Sequence, residues 1–288
     1  MMTLLLLATA KQSLSLGACD CQCILVDVGM NDGRSVQSWP SVATRFAREL
    51  GVPVGYRQYA PATAKQSAVL DRLEACGIQT RSSCYMGFEA NPLHTPVLTA
   101  LQERMRGDGA CVSLSTSTAF SVHDGHTTFY VQPASLRDGA VGSTLDNRKP
   151  VIADKRHLRT LNAKQLAQAH YDPQRIASRG MASLVRSVMQ PGREDTHVAL
   201  DATWRQSLRR LHAHGARPFF AIKMDLEGFE YTLLPQMLRR SQREELCKVD
   251  VLAIEWHERM MPVHSGKTAE FFAQLAELRC NVTVLMWP

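Results

Sequence analysis

Short apolar runs that close on an acid or a glycine recur along this chain, separated by stretches with helical spacing. The first, Cys23-Ile24-Leu25-Val26-Asp27-Val28, empties into Gly29-Met30-Asn31-Asp32-Gly33. A continuous apolar run without alternation predicts a strand buried on both faces, the habit of parallel sheets. The same form returns where residues 83–88 meet Glu89-Ala90-Asn91-Pro92 and where residues 218–224 meet Asp225-Leu226-Glu227-Gly228. It returns again where a strand over 249–255 carries Glu255 into Trp256-His257, and a last strand is expected over 281–285. Helices are predicted over 41–50, 64–76, 96–105, 203–214, 231–240 and 268–278. Shorter strands fall at 110–114, 119–122 and 127–131, with Asp124-Gly125 predicting a hairpin between the last two. Strands alternating with helices indicate an α/β fold with a mostly parallel sheet.

The 288 residues, 45% hydrophobic and 21% charged, suffice for one large α/β domain with a real core. Residues 1–22 read as an N-terminal segment and 23–288 as the domain. No apolar run approaches the ~18–20 residues of a membrane span. Residues 1–10 carry a very short apolar core with no basic residue before it, which reads as a helix turn or trimmed fragment rather than an export signal. A cytoplasmic location is therefore expected, with an N-terminal targeting segment as the alternative. Eight cysteines at this length do not suggest a disulfide scaffold, and none forms C-x-x-C, so buried reduced thiols are expected and structural zinc is not. Asn281-Val282-Thr283 matches a glycosylation acceptor but falls in an expected buried strand, and is set aside.

The net charge of +6 is uneven, because residues 146–195 hold ten Lys/Arg against five Asp/Glu. This segment reads as a solvated basic face or as a lid for an acidic small molecule. Tyr171 is its one aromatic residue and no nucleic-acid motif is present, so no nucleic-acid partner is expected.

Candidate chemistry gathers at the strand ends. The first loop reads D-x-G-x-N-x-G, whereas dinucleotide binders carry G-x-G-x-x-G at a helix start that favours anions. Asp27, Gly29, Asn31 and Gly33 suit a ligand without phosphate, with an amino-acid tail and a sulfonium cation: S-adenosylmethionine (SAM). Glu89 lies 60 residues after Gly29, against the ~20 of a simple dinucleotide unit, which implies an insertion near 51–64. Its carboxylate can accept from both hydroxyls of a ribose. Asp225 and Glu227 end one strand, and Glu255 and His257 another. If those strands are neighbours, three carboxylates converge on an imidazole, with His257 the candidate general base. Such a cluster admits a divalent metal, though nothing in its spacing demands one.

These segments together resemble the FkbM family of SAM-dependent methyltransferases. The matching pieces are 26–33, Phe88-Glu89-Ala90-Asn91-Pro92, Gly125 with Phe129-Tyr130-Val131, Gly142-Ser143-Thr144-Leu145, Leu200-Asp201 and Ile254-Glu255-Trp256-His257. Most specific is Ile222-Lys223-Met224-Asp225-Leu226-Glu227-Gly228-Phe229-Glu230, similar to that family's K-I-D-V-E-G-x-E block. The resemblance implies a class I methyltransferase (Rossmann-like) fold, SAM as methyl donor, and methylation of a hydroxyl on a sugar or other small molecule. It assigns Asp27, Gly29, Asn31, Gly33 and Glu89 to the cofactor, and Asp225, Glu227, Glu255 and His257 to the acceptor side. The chain departs from the pattern in its long first connection, in the insertion at 146–195, and in stopping at Trp287-Pro288 before the usual final antiparallel strand. The expected function is O-methylation. The alternatives are a SAM-binding scaffold without catalysis and, further off, a nicotinamide-dependent oxidoreductase.

Overall fold

Six parallel strands form the centre of the computed structural model, which describes residues 19–36, 38–55, 58–77, 81–131, 172–191, 202–239, 242–257, 266–277 and 280–287. In chain order the strands are β1 (Cys23–Val28), β2 (Val52–Gly55), β3 (Gln58–Ala60), β4 (Ser83–Phe88), β5 (Cys111–Ser115), β6 (Thr118–Ser121), β7 (Gly125–Val131), β8 (Asp172–Gly180), β9 (Phe219–Met224), β10 (Val251–Ile254) and β11 (Thr283–Met286). The helices are α1 (Trp39–Leu50), α2 (Ala64–Ala75), α3 (Thr95–Gly107), α4 (Met181–Met189), α5 (Ala202–Ala213), α6 (Glu230–Met237), α7 (Arg243–Leu246) and α8 (Lys267–Glu277). The central sheet runs β11-β10-β9-β1-β4-β5. Its order reverses at β1, whose neighbours are β4 on one side and β9 on the other. Crevices for ligands open at such reversals, beyond the carboxyl ends of the strands.

Side chains alternate across each strand, so β1 sends Ile24, Val26 and Val28 to one face and Cys23 and Leu25 to the other. Leu184, Leu208, Leu233 and Phe271, from α4, α5, α6 and α8, cover the first face. Trp39, Leu70 and Leu98, from α1, α2 and α3, cover the second. Local signals fix the helix starts: Pro40 stands in the first turn of α1, and Thr63 and Gln66 form a reciprocal capping box at α2. The fold is thus α/β and compatible with a Rossmann-like arrangement, and its six-stranded sheet is parallel throughout. Among the described residues no helix is long and apolar enough to cross a membrane.

Four expectations are corrected. The cysteines are not reduced: all eight pair, as Cys19–Cys111, Cys21–Cys84, Cys23–Cys76 and Cys247–Cys280. Cys19, Cys21 and Cys23 tie the entrance of β1 to β5, to β4 and to the end of α2. Next, β6 and β7 form no hairpin, because β8 inserts between them, parallel to β6 and antiparallel to β7. Residues 172–191 of the basic segment are more than a lid or a solvated face, although Arg175 is exposed and Arg179 and Arg186 are half-buried. They supply β8 and α4, seven of whose nine residues are buried. The remainder of 146–195, with Lys155 and Arg156, lies outside the described residues, as do 142–145 and 200–201. Lastly, Asn281 is exposed and precedes β11, so burial is no ground for setting aside its acceptor motif.

Candidate functional site

Three strand ends meet at the reversal point. After β1 the chain turns through Gly29 (φ +77°), Asn31 (φ +55°) and Gly33 (φ +85°). Gly29 is required sterically, because a Cβ there would lie 1.8 Å from the carbonyl oxygen of Asp225. The tight passage lets Asp225 N donate to Val28 O at 3.0 Å and joins the loops after β1 and β9.

The loop delivers the amide of Asn31 to Glu89. Asn31 N donates to Glu89 Oε2 at 2.7 Å, and Asn91 N donates to Oε1, also at 2.7 Å. Each carboxylate oxygen keeps capacity for a further donor. Burial pushes the Glu89 carboxyl up from 4.5 to about 7, against the lowering effect of these two amides and with a further push from Asp225.

Glu89 stands in a pocket of roughly 520 Å³ of empty space, its open mouth included. Val28, Phe88, Ala90, Phe120, Phe129 and Leu226 supply apolar wall. Asn31, His94, Thr118, Asp225 and Glu227 supply polar groups, and no lysine or arginine is among the described lining residues. The small sheet β6-β8-β7 contributes Thr118, Ala119, Phe120 and Phe129, so it builds one side of the pocket.

Asp225 and Glu227, which also line the pocket, lead into a partly buried cluster. His257 follows β10, and its Nε2 lies 3.7 Å from Asp225 Oδ1, 3.6 Å from Glu227 Oε2 and 3.5 Å from Glu255 Oε1. Its Nδ1 is 2.8 Å from Oε1 of Glu230, which is fully buried in the first turn of α6. A carboxylate only accepts, so Nδ1 carries the proton and Nε2 faces the three other acids. Glu230 also accepts from the amides of His257 and Gly228. Trp256, packed on Tyr231, Phe271 and Phe272 with ring centroids 5.4–5.9 Å apart, anchors the turn that presents the imidazole. Glu227 sits at φ +51°, a strained conformation for a residue with a side chain.

The electrostatics follow from four carboxylates around one imidazole. Burial alone would lower the His257 pKa, but Glu230, Glu227 and Asp225 outweigh it and push it from 6.5 up to about 9. Burial, with Asp225 next to it, raises Glu255 to about 8. Burial raises Asp225 as well, though Lys223 opposes it. At neutral pH the cluster therefore holds positive charge as a proton on His257.

Of the sequence-predicted residues, Gly29, Asn31, Glu89, Asp225 and Glu227 line one pocket, and Glu255 and His257 join it through the carboxylates. Asp27 and Gly33 do not reach the wall. Asp27 is fully buried on the helix-α1 side of the sheet, where Tyr85 OH donates at 2.7 Å, Ser35 Oγ at 2.9 Å and Lys223 Nζ at 3.0 Å. Gly33 packs on Leu98 and Leu101 of α3. Lys223, Tyr85, Ser35 and Glu230 were missed as site residues. Lys223 also donates to Gly29 O at 3.3 Å, so the buried pair supports the loop from below. A lysine inside the run Phe219–Met224 was the available signal, since a buried ammonium requires an acid at its own depth.

Comparison of the chain with models of known families, with curated proteins and with solved structures finds no match.

Proposed function

We propose that the chain is an FkbM-like, class I SAM-dependent O-methyltransferase acting on a hydroxyl of a sugar or other small molecule. The observation that carries this reading is Glu89, a carboxylate fixed by two amides at the end of β4 and lining the same largely apolar pocket as Asp225 and Glu227. The residues present fit the cofactor. Glu89 retains one acceptor site on each oxygen for a pair of ribose hydroxyls, the aromatic wall suits a purine, and the acids suit a sulfonium. Among the described residues the lining holds no lysine or arginine, and such a wall is poor for the pyrophosphate of a nicotinamide cofactor.

SAM, when bound, supplies an electrophilic methyl group. The chain's own contribution is to orient the acceptor at the pocket wall, exclude water and take up the hydroxyl proton. Positioning and desolvation would provide most of the rate gain. Asp225 and Glu227 face the pocket, so the acceptor's proton would leave to the carboxylate–imidazole cluster, with His257 acting as base once its own proton is lost. Four disulfides favour an oxidising compartment over the cytoplasm as the place where the chain folds.

The test is incubation with SAM deuterated in its methyl group and a panel of sugars and small alcohols, read by mass spectrometry. Label on a hydroxyl supports the reading. Bound SAM with no transfer to any acceptor leaves the scaffold alternative.

A further inference from the structure

We propose that Asp225, Glu227 and His257 form a divalent-cation site suited to Mn2+, with Glu255 at its solvent edge. This goes beyond methyl transfer and does not depend on it; the ion would displace the Nε2 proton and occupy the lone pair that base catalysis needs, so the two uses of His257 exclude one another.

The imidazole is the first reason. The His257 side chain is 2% exposed, and its Nε2 has no hydrogen-bond partner among the described residues while aiming at three carboxylate oxygens 3.5–3.7 Å away. Those separations are long for hydrogen bonds. They approach the spacing of donors sharing one ion: two atoms about 2.2 Å from an octahedral ion lie roughly 3.1 Å apart at right angles and further apart at wider ones, so binding would draw the donors slightly together. Donor atoms from Asp225, Glu227 and His257 lie within 4.8 Å of one another.

Asp225 is the second reason. Its Oδ1 is buried and accepts no hydrogen bond from the described donors, the Asp225 carboxyl sharing a proton with that of Glu255 instead. A carboxylate oxygen withdrawn from water without a donor is costly, and a cation at this position would supply the missing partner.

The third reason is the carboxylate behind the imidazole. Metal-binding histidines regularly donate their other ring nitrogen to a carboxylate, which fixes the tautomer and turns the free lone pair toward the metal. Glu230, fully buried at 2.8 Å from Nδ1, is placed to do so. Four carboxylates around one imidazole also leave the cluster short of positive charge, even with Lys223 at 3.8 Å from Asp225. One nitrogen with carboxylate oxygens is a hard, mixed donor set that suits Mn2+.

The experiment is titration of chelator-stripped full-length protein with Mn2+ alone, by calorimetry and by loss of the free-ion EPR signal, without SAM. One ion per chain is expected, with a nitrogen coupling in pulsed EPR. Glu227→Gln should weaken binding at least tenfold, and Glu230→Gln about 10–100-fold by replacing the charged acceptor behind the ring with a neutral one. Circular dichroism and thermal unfolding establish that the variants fold. No uptake by folded wild type, or unchanged affinity in both folded variants, overturns the site. Because SAM is absent from the titration, failure of the methyltransferase reading would leave a positive Mn2+ result intact.

Discussion

His257 and Glu230 are bonded Nδ1 to Oε1 at 2.8 Å, and neither side chain meets solvent to any extent. Through this pair α6 sets the orientation of a residue that follows β10. The amides of Gly228 and His257 converge on the same carboxylate, so one side chain ties the turn after β9 to the turn after β10.

Glu230→Ala would strip the acceptor from all three donors and leave a buried imidazolium without its partner. Breaking a buried charged pair costs about 3–5 kcal/mol. Urea denaturation should register a loss of that order for Glu230→Ala. A loss well under 1 kcal/mol would show that the bond does not organise the site.

A second buried pair lies on the other face of the sheet. Asp27 and Lys223 stand opposite each other in register, and neither is more than 1% exposed. Burial by itself would lower the Lys223 pKa, but Asp27 and Asp225 keep it raised. Lys223→Met keeps the volume yet abandons Asp27, so it should cost about 3–5 kcal/mol, whereas Tyr85→Phe removes one bond to a charge and should cost about 1.5–3 kcal/mol. If Lys223→Met unfolds at the wild-type denaturant midpoint, Asp27 does not need its cation.

Most elements were legible because apolar runs and caps are local, and the observed strand and helix ends fall within a few residues of those expected. Glu89 and Asn31 were legible too, since an acid or a glycine turn at a strand's carboxyl end has few other places to go. Asp27 was misplaced for a reason of parity. It shares a face with Cys23 and Leu25, and the sequence does not tell which face of a doubly covered strand meets the crevice. The place of β8 between β6 and β7 depends on a pairing across residues 132–171, which no turn signal encodes. The disulfides were hidden for a similar reason. Partners lie 33 to 92 residues apart, and eight cysteines allow 105 connectivities.

The disulfides have a direct chemical test. Alkylation of the unfolded, unreduced protein should label no cysteine, and prior reduction should expose eight thiols. Each cross-link is worth typically 2–4 kcal/mol, so reduction should lower the thermal midpoint by many degrees. Free thiols throughout a native, active preparation would restore the cytoplasmic expectation.

The pH dependence of Glu89 has a defined sign. Its folded pKa of about 7 exceeds the ordinary 4.5, so the group's contribution to stability is complete below pH 4.5 and is lost as pH rises through 7. The loss is up to about 3 kcal/mol. Glu89→Gln should flatten this part of the stability profile. Ionisation also readies the carboxylate for hydroxyl donors, so SAM affinity in the wild type should rise between pH 6 and 8. A profile identical in wild type and Glu89→Gln would contradict the assignment.

The central claim is that the pocket around Glu89 holds SAM, and calorimetric titration of wild type and Glu89→Ala tests it most directly. The account predicts micromolar binding at one site per chain, lost in a Glu89→Ala protein that remains folded. A folded wild type that takes up no SAM, or a Glu89→Ala variant that binds it equally well, would contradict the account.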